Sequence, residues 1–517
     1  MKKLFLILIS FLGLTVAHGQ ITFQKTYGGA NNDDLGYSVQ QTNDGGFIIT
    51  GSTSDIVASI NNIYLVKTSF DGTLLWTKTF NGGGGIGYSV QQTNDGGFII
   101  AGSGYGDVYL LKTDSDGSLQ WSKTYGGTKF DEGKSVQQTS DGGFIVTGWT
   151  QSFGAGSSDI YLVKTASDGT LQWTKIFGGA ALEEGYSVQQ TNDGGFIIAG
   201  TTSSFVTAWS DVYLVKTTSD GTLQWAKTFG GSGGYESGNS VQQTNDGGFI
   251  MTGYTSSFGA GNSYLVKTAS DGTLQWTKIF GGKGTAFGNS VQETNSGGFI
   301  ITGRTADLLI PIDDVFVAKT DSDGTPQWVK TFGGGIIDDG YAVQKTNDGG
   351  FIICGSTDSF GTGGYDIYLI KTDSNGNSGC NETSLNPNAT SGGVQGTGGG
   401  IQGAGGTSGN PATQTSSGGI ATTLCFANGI TEIALEDLIN VFPNPFSTQT
   451  VLQSGIYLHN ATFAVDNCFG QTVVQIKNIN GQTVVFSRDN LASGLYFFRL
   501  TENNKLLAVD KLVITDK

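Results

Sequence analysis

Tyr186-Ser187-Val188-Gln189-Gln190-Thr191-Asn192-Asp193-Gly194-Gly195-Phe196-Ile197-Ile198-Ala199-Gly200-Thr201, continued by Asp211-Val212-Tyr213-Leu214-Val215-Lys216-Thr217 and Leu223-Gln224-Trp225-Ala226-Lys227-Thr228-Phe229, decides the fold. It holds four short runs of β-forming residues, Tyr186–Thr191, Gly195–Thr201, Asp211–Thr217 and Leu223–Phe229. Asn192-Asp193-Gly194 separates the first two and Ser219-Asp220-Gly221 the last two, both in hairpin turn chemistry.

The unit recurs. Asp44-Gly45-Gly46-Phe47 returns with its acid at Asp95, Asp141, Asp193, Asp246 and Asp348, and Ser296-Gly297-Gly298-Phe299 is a variant seventh copy. The Tyr-Leu-Val-Lys-Thr run also occurs seven times, from Tyr64, Tyr109, Tyr161, Tyr213, Tyr264, Phe316 and Tyr368. Four antiparallel strands repeated at this period predict a seven-bladed β-propeller of four-stranded blades. Trp76, Trp121, Trp173, Trp225, Trp276 and Trp328 hold one position in six units. The seventh lacks its Trp strand after Asn375-Gly376, whereas Ile21–Gly29 carries the same pattern with Phe23 in the Trp place. The first strand of the chain is therefore expected to complete the last blade and hide its edge.

Composition agrees: 84 Gly against 6 Pro, with 31 Phe and 18 Tyr, gives turns and strands. The formal charge of −16 argues against nucleic acid as a partner. Met1-Lys2-Lys3, the apolar run Leu4–Val16 and Ala17-His18-Gly19 read as a signal peptide over 1–19, cleaved before Gln20. No other segment reads as a transmembrane span. Cys380 and Cys425 are the expected disulfide; Cys354 reads as a buried thiol and Cys468 as unpaired.

The hairpin Tyr-Leu-Val-Lys-Thr, Asp-Gly, Leu-Gln-Trp resembles the blade motif of quinoprotein-type propellers over residues 21–376. The likeness implies architecture alone, because counterparts of that family's cofactor-site residues are not recognisable; no cofactor is expected. Residues 377–438 turn to Gly, Ser, Thr and Asn and read as a flexible linker. Val441-Phe442-Pro443-Asn444-Pro445-Phe446, Gly470-Gln471, Asn480-Gly481-Gln482, Leu491-Ala492-Ser493-Gly494-Leu495-Tyr496 and Lys511-Leu512-Val513-Ile514 closely resemble the type A sorting domain of the type IX secretion system. The resemblance implies a small Ig-like β-sandwich over 439–517, an interaction with that secretion machinery, and a secreted or outer-surface location in a Gram-negative bacterium.

After signal cleavage the one remaining histidine is His459, so the propeller offers no Ser-His-Asp triad, Cys-His pair or imidazole metal site. No catalytic or metal-ligating residue is assigned. The repeated Lys67, Lys112, Lys164, Lys216, Lys267, Lys319 and Lys371 read as blade structure, and Asp114-Ser115-Asp116-Gly117 reads as a hairpin turn without the downstream acid of a calcium loop. Strand alternation puts the monotonous Asp-Gly turns at one end of the ring and the variable loops at the other. That variable face carries Asp131 and Glu132, Glu183 and Glu184, Asp338 and Asp339, with Trp149 and Trp209. Loops on a rigid scaffold are where function concentrates. These eight residues are the candidate binding site for a glycan or surface protein. The reading is a binding module without catalysis. Its rivals are a carbohydrate-active enzyme using paired acids and a passive surface or matrix component.

Overall fold

The computed structural model describes residues 20–516 except 31, 56–59, 82, 207–208, 259–260, 282–284, 307–312, 386–393, 398–400, 404–406, 410–414, 417–419, 429–438, 468–471 and 503–504. The expected signal peptide, Cys468, most of the loop Ala306–Asp313 and part of the expected linker fall outside them. The chain forms two compact units, Gln20–Phe426 and a second from Ala427 onward.

The first unit is all β. Its repeats fold into seven four-stranded antiparallel sheets, here numbered 1–7 in chain order. Sheet 1 runs from the inner strand Asn32–Gln41 to the outer strand Leu74–Phe80. The outer strands of sheets 2–6 are Leu119–Gly126, Leu171–Gly178, Leu223–Gly230, Leu274–Phe280 and Pro326–Phe332. Sheet 7 has three strands from Asp338 to Thr372, and its fourth is Ile21–Gly28. Phe23 stands opposite Lys371 there, as Trp76 stands opposite Lys67 in sheet 1.

The middle strands are apolar on both faces because each sheet is packed on both sides. Ile48, Ile49, Leu65 and Val66 are all fully buried. Seven cores result, one per junction between neighbouring sheets. One joins Phe23, Tyr27 and Ile352 of sheet 7 to Phe47, Ile49 and Tyr64 of sheet 1, so the sheets close into a propeller-like ring.

The repeat motif now has a physical account. Each outer-strand Trp lies over the turn glycine of the next sheet: a Cβ on Gly117, Gly169 or Gly221 would come within 3.0 Å of Trp76, Trp121 or Trp173. Those glycines also have positive φ. Phe23 covers Gly72 in the same way, so the substituted aromatic performs the closing contact. The Val-Gln-Gln run links inner strands around the axis. The Gln40 carboxamide oxygen accepts the Gln92 N–H, and Gln91, Gln137, Gln189, Gln242 and Gln292 do the same for Gln138, Gln190, Gln243, Glu293 and Lys345. Gln344 accepts from Gln41 at 2.6 Å and completes the circle. The repeated lysines are structural, since Lys67, Lys112, Lys164, Lys216, Lys267 and Lys371 pair with turn aspartates Asp44, Asp95, Asp141, Asp193, Asp246 and Asp348 at 2.8–3.0 Å.

The segment read as a linker differs from expectation. Between Glu382 and Asn428 it supplies six short strands, each added to the outer edge of a sheet. Gly, Ser and Thr can build no core of their own, but an exposed strand edge asks only for backbone N–H and C=O groups. Cys380 and Cys425 form a disulfide, and Cys354 is a free, buried thiol.

The second unit joins Ile439–Phe442, Gln449–Asp466, Thr472–Ser487, Gly494–Glu502 and Lys505–Ile514 in one hydrogen-bonded set, with several register shifts along the second strand. Phe446, Leu452, Phe463, Phe486, Phe498, Leu512 and Ile514 make its core. Asn444 of the Pro-Asn-Pro motif takes the Val513 N–H and gives its amide to the Lys511 carbonyl, each at 2.8 Å.

Candidate functional site

The inner strands decide what faces the axis. In all seven, one residue after a conserved-position glycine breaks register with the neighbouring strand: Tyr37, Tyr88, Lys134, Tyr186, Asn239, Asn289 and Tyr341. A bulge of this kind re-aims its side chain. Glycine before it and Val-Gln two residues after it are constant, while the bulged residue varies, so this position can carry specificity on an otherwise fixed frame.

Four of the bulged residues, Lys134, Tyr88, Tyr37 and Tyr341, connect into a network along the ring. Trp149 Nε1 donates to Glu132 at 2.9 Å. Glu132 also pairs with Lys134 at 3.0 Å, whose ammonium lies 3.6 Å above the Tyr88 ring. Tyr88 contacts Tyr37, and Tyr37 contacts Tyr341, with ring centroids 5.3 and 5.1 Å apart. The Tyr341 hydroxyl donates to Asp339, which faces Arg304 at 3.6 Å. The Arg304 guanidinium in turn covers Phe287, itself stacked on Tyr254 at 4.5 Å. Tyr186 donates to Glu184. Burial and the adjacent carboxylates push the hydroxyls of Tyr88, Tyr186 and Tyr341 well above the ordinary tyrosine value, so they stay protonated donors.

Beside this network Gly83, Gly84, Tyr105, Phe130, Asp131, Glu132 and Trp149 line a cleft of about 240 Å³. Phe130 is 66% exposed, and Tyr105 holds a left-handed φ of 56°. For a bulky residue that conformation is uncommon and marks a functional position more often than a random one. A second aromatic pair, Trp209 and Tyr235, is largely exposed between sheets 4 and 5, with centroids 5.6 Å apart.

The eight residues singled out in the sequence divide. Trp149, Glu132 and Asp339 belong to the network, Glu184 accepts from the bulged Tyr186, and Trp209 belongs to the second aromatic pair. Asp131, Glu183 and Asp338 do not present a surface: they are 2%, 0% and 0% exposed. Each accepts the N–H of the glycine four residues earlier, Gly127, Gly179 or Gly334, at 2.7–2.8 Å. Asp131 also takes the Thr150 hydroxyl, and Glu183 that of Thr202. Their role is to hold the loop between sheets. Opposite them stand Asp107, Asp159 and Asp314. Carboxylates of each pair converge over a glycine, so that a Cβ at Gly126 would lie 2.2 Å from Asp107 and 2.5 Å from Asp131. Burial, then the neighbouring carboxylate, pushes Asp107 and Asp314 up to about 6. Asp34 with Asp366 and Asp211 with Glu236 repeat the arrangement: burial, then the paired acid, pushes Asp366 and Asp211 up to about 6, and burial, then Asp33, does so for Asp34.

Sequence reading missed the bulged ring and Arg304. The signal was present: before the constant Val-Gln, the residue that follows glycine alternates among Tyr, Lys and Asn. Among the described residues no group of three or more His, Cys, Asp and Glu is placed to hold a metal. Among the described residues no helix is long and apolar enough to cross a membrane.

Residues 440–515 match the family described as a secretion system C-terminal sorting domain. This type IX sorting domain marks the chain for export to the surface or surroundings of a Gram-negative bacterium. No curated protein matches the chain. Among solved structures, a protein of unknown function from Dyadobacter fermentans is similar over 69% of this chain and 98% of its own, at 9% identity and TM-score 0.35. The extracellular domain of a putative hybrid two-component system from B. thetaiotaomicron is similar over 93% and 68%, at 11% identity and TM-score 0.25. A putative gluconolactonase shows 12% identity and TM-score 0.29 over 72% and 92%. Likenesses this slight transfer no function.

Proposed function

We propose that Gln20–Gly376 is a seven-bladed β-propeller serving as an exported binding module, preceded by a signal peptide at 1–19 and followed by a sorting domain folded as a small sandwich over 439–517. Its working surface is the face that holds the bulged ring and the Tyr105–Phe130–Trp149 cleft. The observation that carries this reading is the network from Trp149 to Tyr254, which occupies the positions where the repeat varies. Exposed aromatic faces beside carboxylate acceptors suit a neutral polyhydroxylated ligand such as a glycan, whose C–H face stacks while its hydroxyls donate. The paired-acid enzyme is disfavoured because the close carboxylate pairs recur at five sheet junctions, each tied to a glycine.

The test uses the full chain on a glycan array, with cell-envelope extracts in parallel. Tyr105→Ala with Phe130→Ala, and Trp149→Ala with Trp209→Ala, should abolish capture and leave circular dichroism unchanged. Phe70→Ala, an exposed aromatic in an Asp-Gly turn on the opposite end, should bind normally. Loss of capture in Phe70→Ala with retention in the other two would sink the assignment.

A further inference from the structure

The six added strands run round the ring in order. Glu382–Leu385 pairs with the outer strand of sheet 6, Val394–Thr397 with sheet 4, Ile401–Gly403 with sheet 3, Thr407–Gly409 with sheet 2 and Thr415–Ser416 with sheet 1. Ile420–Asn428 then pairs with Ile21–Gly28 of sheet 7. The strands meet sheets 6, 4, 3, 2, 1 and 7, the reverse of chain order, with none on sheet 5 among the described residues, and the last lies beside sheet 7, where Cys380 and Cys425 are joined with Cα atoms 6.0 Å apart. A separation of 45 residues at ~3.3 Å each sets an upper bound of ~150 Å on the path.

The buckle sits on the joint where the N-terminal strand closes the ring. Gln24 is fully buried and replaces the small or β-branched residue (Thr77, Ser122, Thr174, Ala226, Thr277, Val329) of the other outer strands. Its amide nitrogen donates to Ser378 Oγ at 2.7 Å and to the Cys380 carbonyl; its oxygen accepts from Tyr368 and from Asn381 Nδ2 at 3.2 Å. Lys330 reaches Glu382 at 3.3 Å, fastening the first added strand. A fully buried outer-strand residue that departs from the repeat is thus the seat of the clasp.

We propose that Cys380 and Cys425 are an oxidative modification site whose disulfide turns the added strands into a covalent hoop around the ring. The sheets cannot then part at any junction without breaking a bond. The partner is a disulfide-bearing thiol oxidase outside the cytoplasm. One cysteine thiolate attacks that disulfide to form a mixed disulfide and expel one oxidase thiolate. The second cysteine thiolate then displaces the other. Two electrons and, by way of solvent, the two cysteine protons end on the oxidase as its dithiol. Winding must come first, because a loop closed before the ring forms would not enclose it.

A hoop and a local staple differ when the loop is cut. A protease site is inserted at residues 404–406 of the full chain, and the folded, oxidised protein is nicked without refolding. Unfolding in denaturant should accelerate on the order of a hundredfold, as it does when the intact protein is reduced with a phosphine. Nicking after reduction should add little. Hydrogen exchange should lose protection together in Leu74–Phe80, Leu119–Gly126, Leu171–Gly178 and Leu223–Gly230. Gln24→Ala should slow disulfide formation in refolding while leaving the ring folded. If nicked and intact oxidised chains unfold at the same rate, or if the outer strands keep their protection, the hoop is refuted. Those readouts do not depend on ligand binding.

Discussion

Replacing Phe23 with Ala perturbs the joint where the two ends of the ring meet. Phe23 is fully buried, meets Phe47 edge-on at 6.3 Å and covers Gly72, which belongs to the next sheet. Removing a buried phenyl ring with no neighbour free to fill the space costs about 3–5 kcal/mol. Tyr27, four residues on, gives its hydroxyl to the Gly72 carbonyl at 2.6 Å, so Tyr27→Phe should cost a further 1–3 kcal/mol or so for a buried acceptor left unpaired. Tyr125 makes the same bond to Gly169 at an internal junction, and Trp121 packs there as Phe23 does at the closure. The assay is urea unfolding of the full chain followed by tryptophan fluorescence, with Trp121→Ala and Tyr125→Phe alongside. Equal costs at the two junctions are expected. A closure variant costing less than about 1 kcal/mol, beside an internal variant costing several, would show that the first strand does not hold the ring shut.

Thermal stability should rise as pH falls from 7 toward 4.5: Asp34, Asp107, Asp211, Asp314 and Asp366 are pushed up to about 6, so the stability they give is complete below the ordinary carboxylate value and is lost as pH rises through 6. Below pH 4 the trend should reverse, since hydrogen bonds and Lys267 hold Asp246 down near 2, and its contribution is lost as pH falls through that value; a melting temperature highest at pH 7 would contradict the first sign, and one still rising below pH 4 the second. Gly230→Ala would set a methyl 2.1 Å from Asp211 and 2.8 Å from Glu236 and should cost about 1–3 kcal/mol, whereas Gly335→Ala meets nothing within 4 Å and should be neutral in the same denaturation series. Removal of Val441–Lys517 should leave folded protein inside the outer membrane, and fractionation that finds it at the surface would remove the sorting role from that segment.

The repeat was legible because each of its residues answers to one local demand. Asp-Gly turns need positive φ, the apolar runs need two covered faces, and the Trp needs a glycine to lie on. The count of Trp strands even revealed that Ile21–Gly28 belongs to sheet 7. Acid pairs were misread because their sequence, two carboxylates in a variable loop, resembles an exposed site. Only the fold shows that the first member turns inward onto a glycine N–H. The bulged ring was missed for the opposite reason: periodicity attracts attention to what repeats, and specificity sits where the frame repeats and one residue does not.

The segment 377–438 failed for a deeper physical reason. Sequence patterns report burial, and a strand that contributes backbone alone to an existing edge leaves almost no apolar signature. Its Gly, Ser and Thr content is what disorder also looks like. What separates the two cases is the presence of unpaired edges elsewhere in the chain. A ring of four-stranded sheets exposes an outer edge on every sheet, each a template for pairing with foreign chains. A protein sent outside the cell carries those edges into a crowd of other exposed strands. A polar strap drawn from its own chain meets that hazard at low cost in composition, and a disulfide near its two ends keeps it from exchanging. The spacing of Cys380 and Cys425 on either side of a core-less stretch was therefore the readable trace of the hoop, although the pairing of its backbone was not.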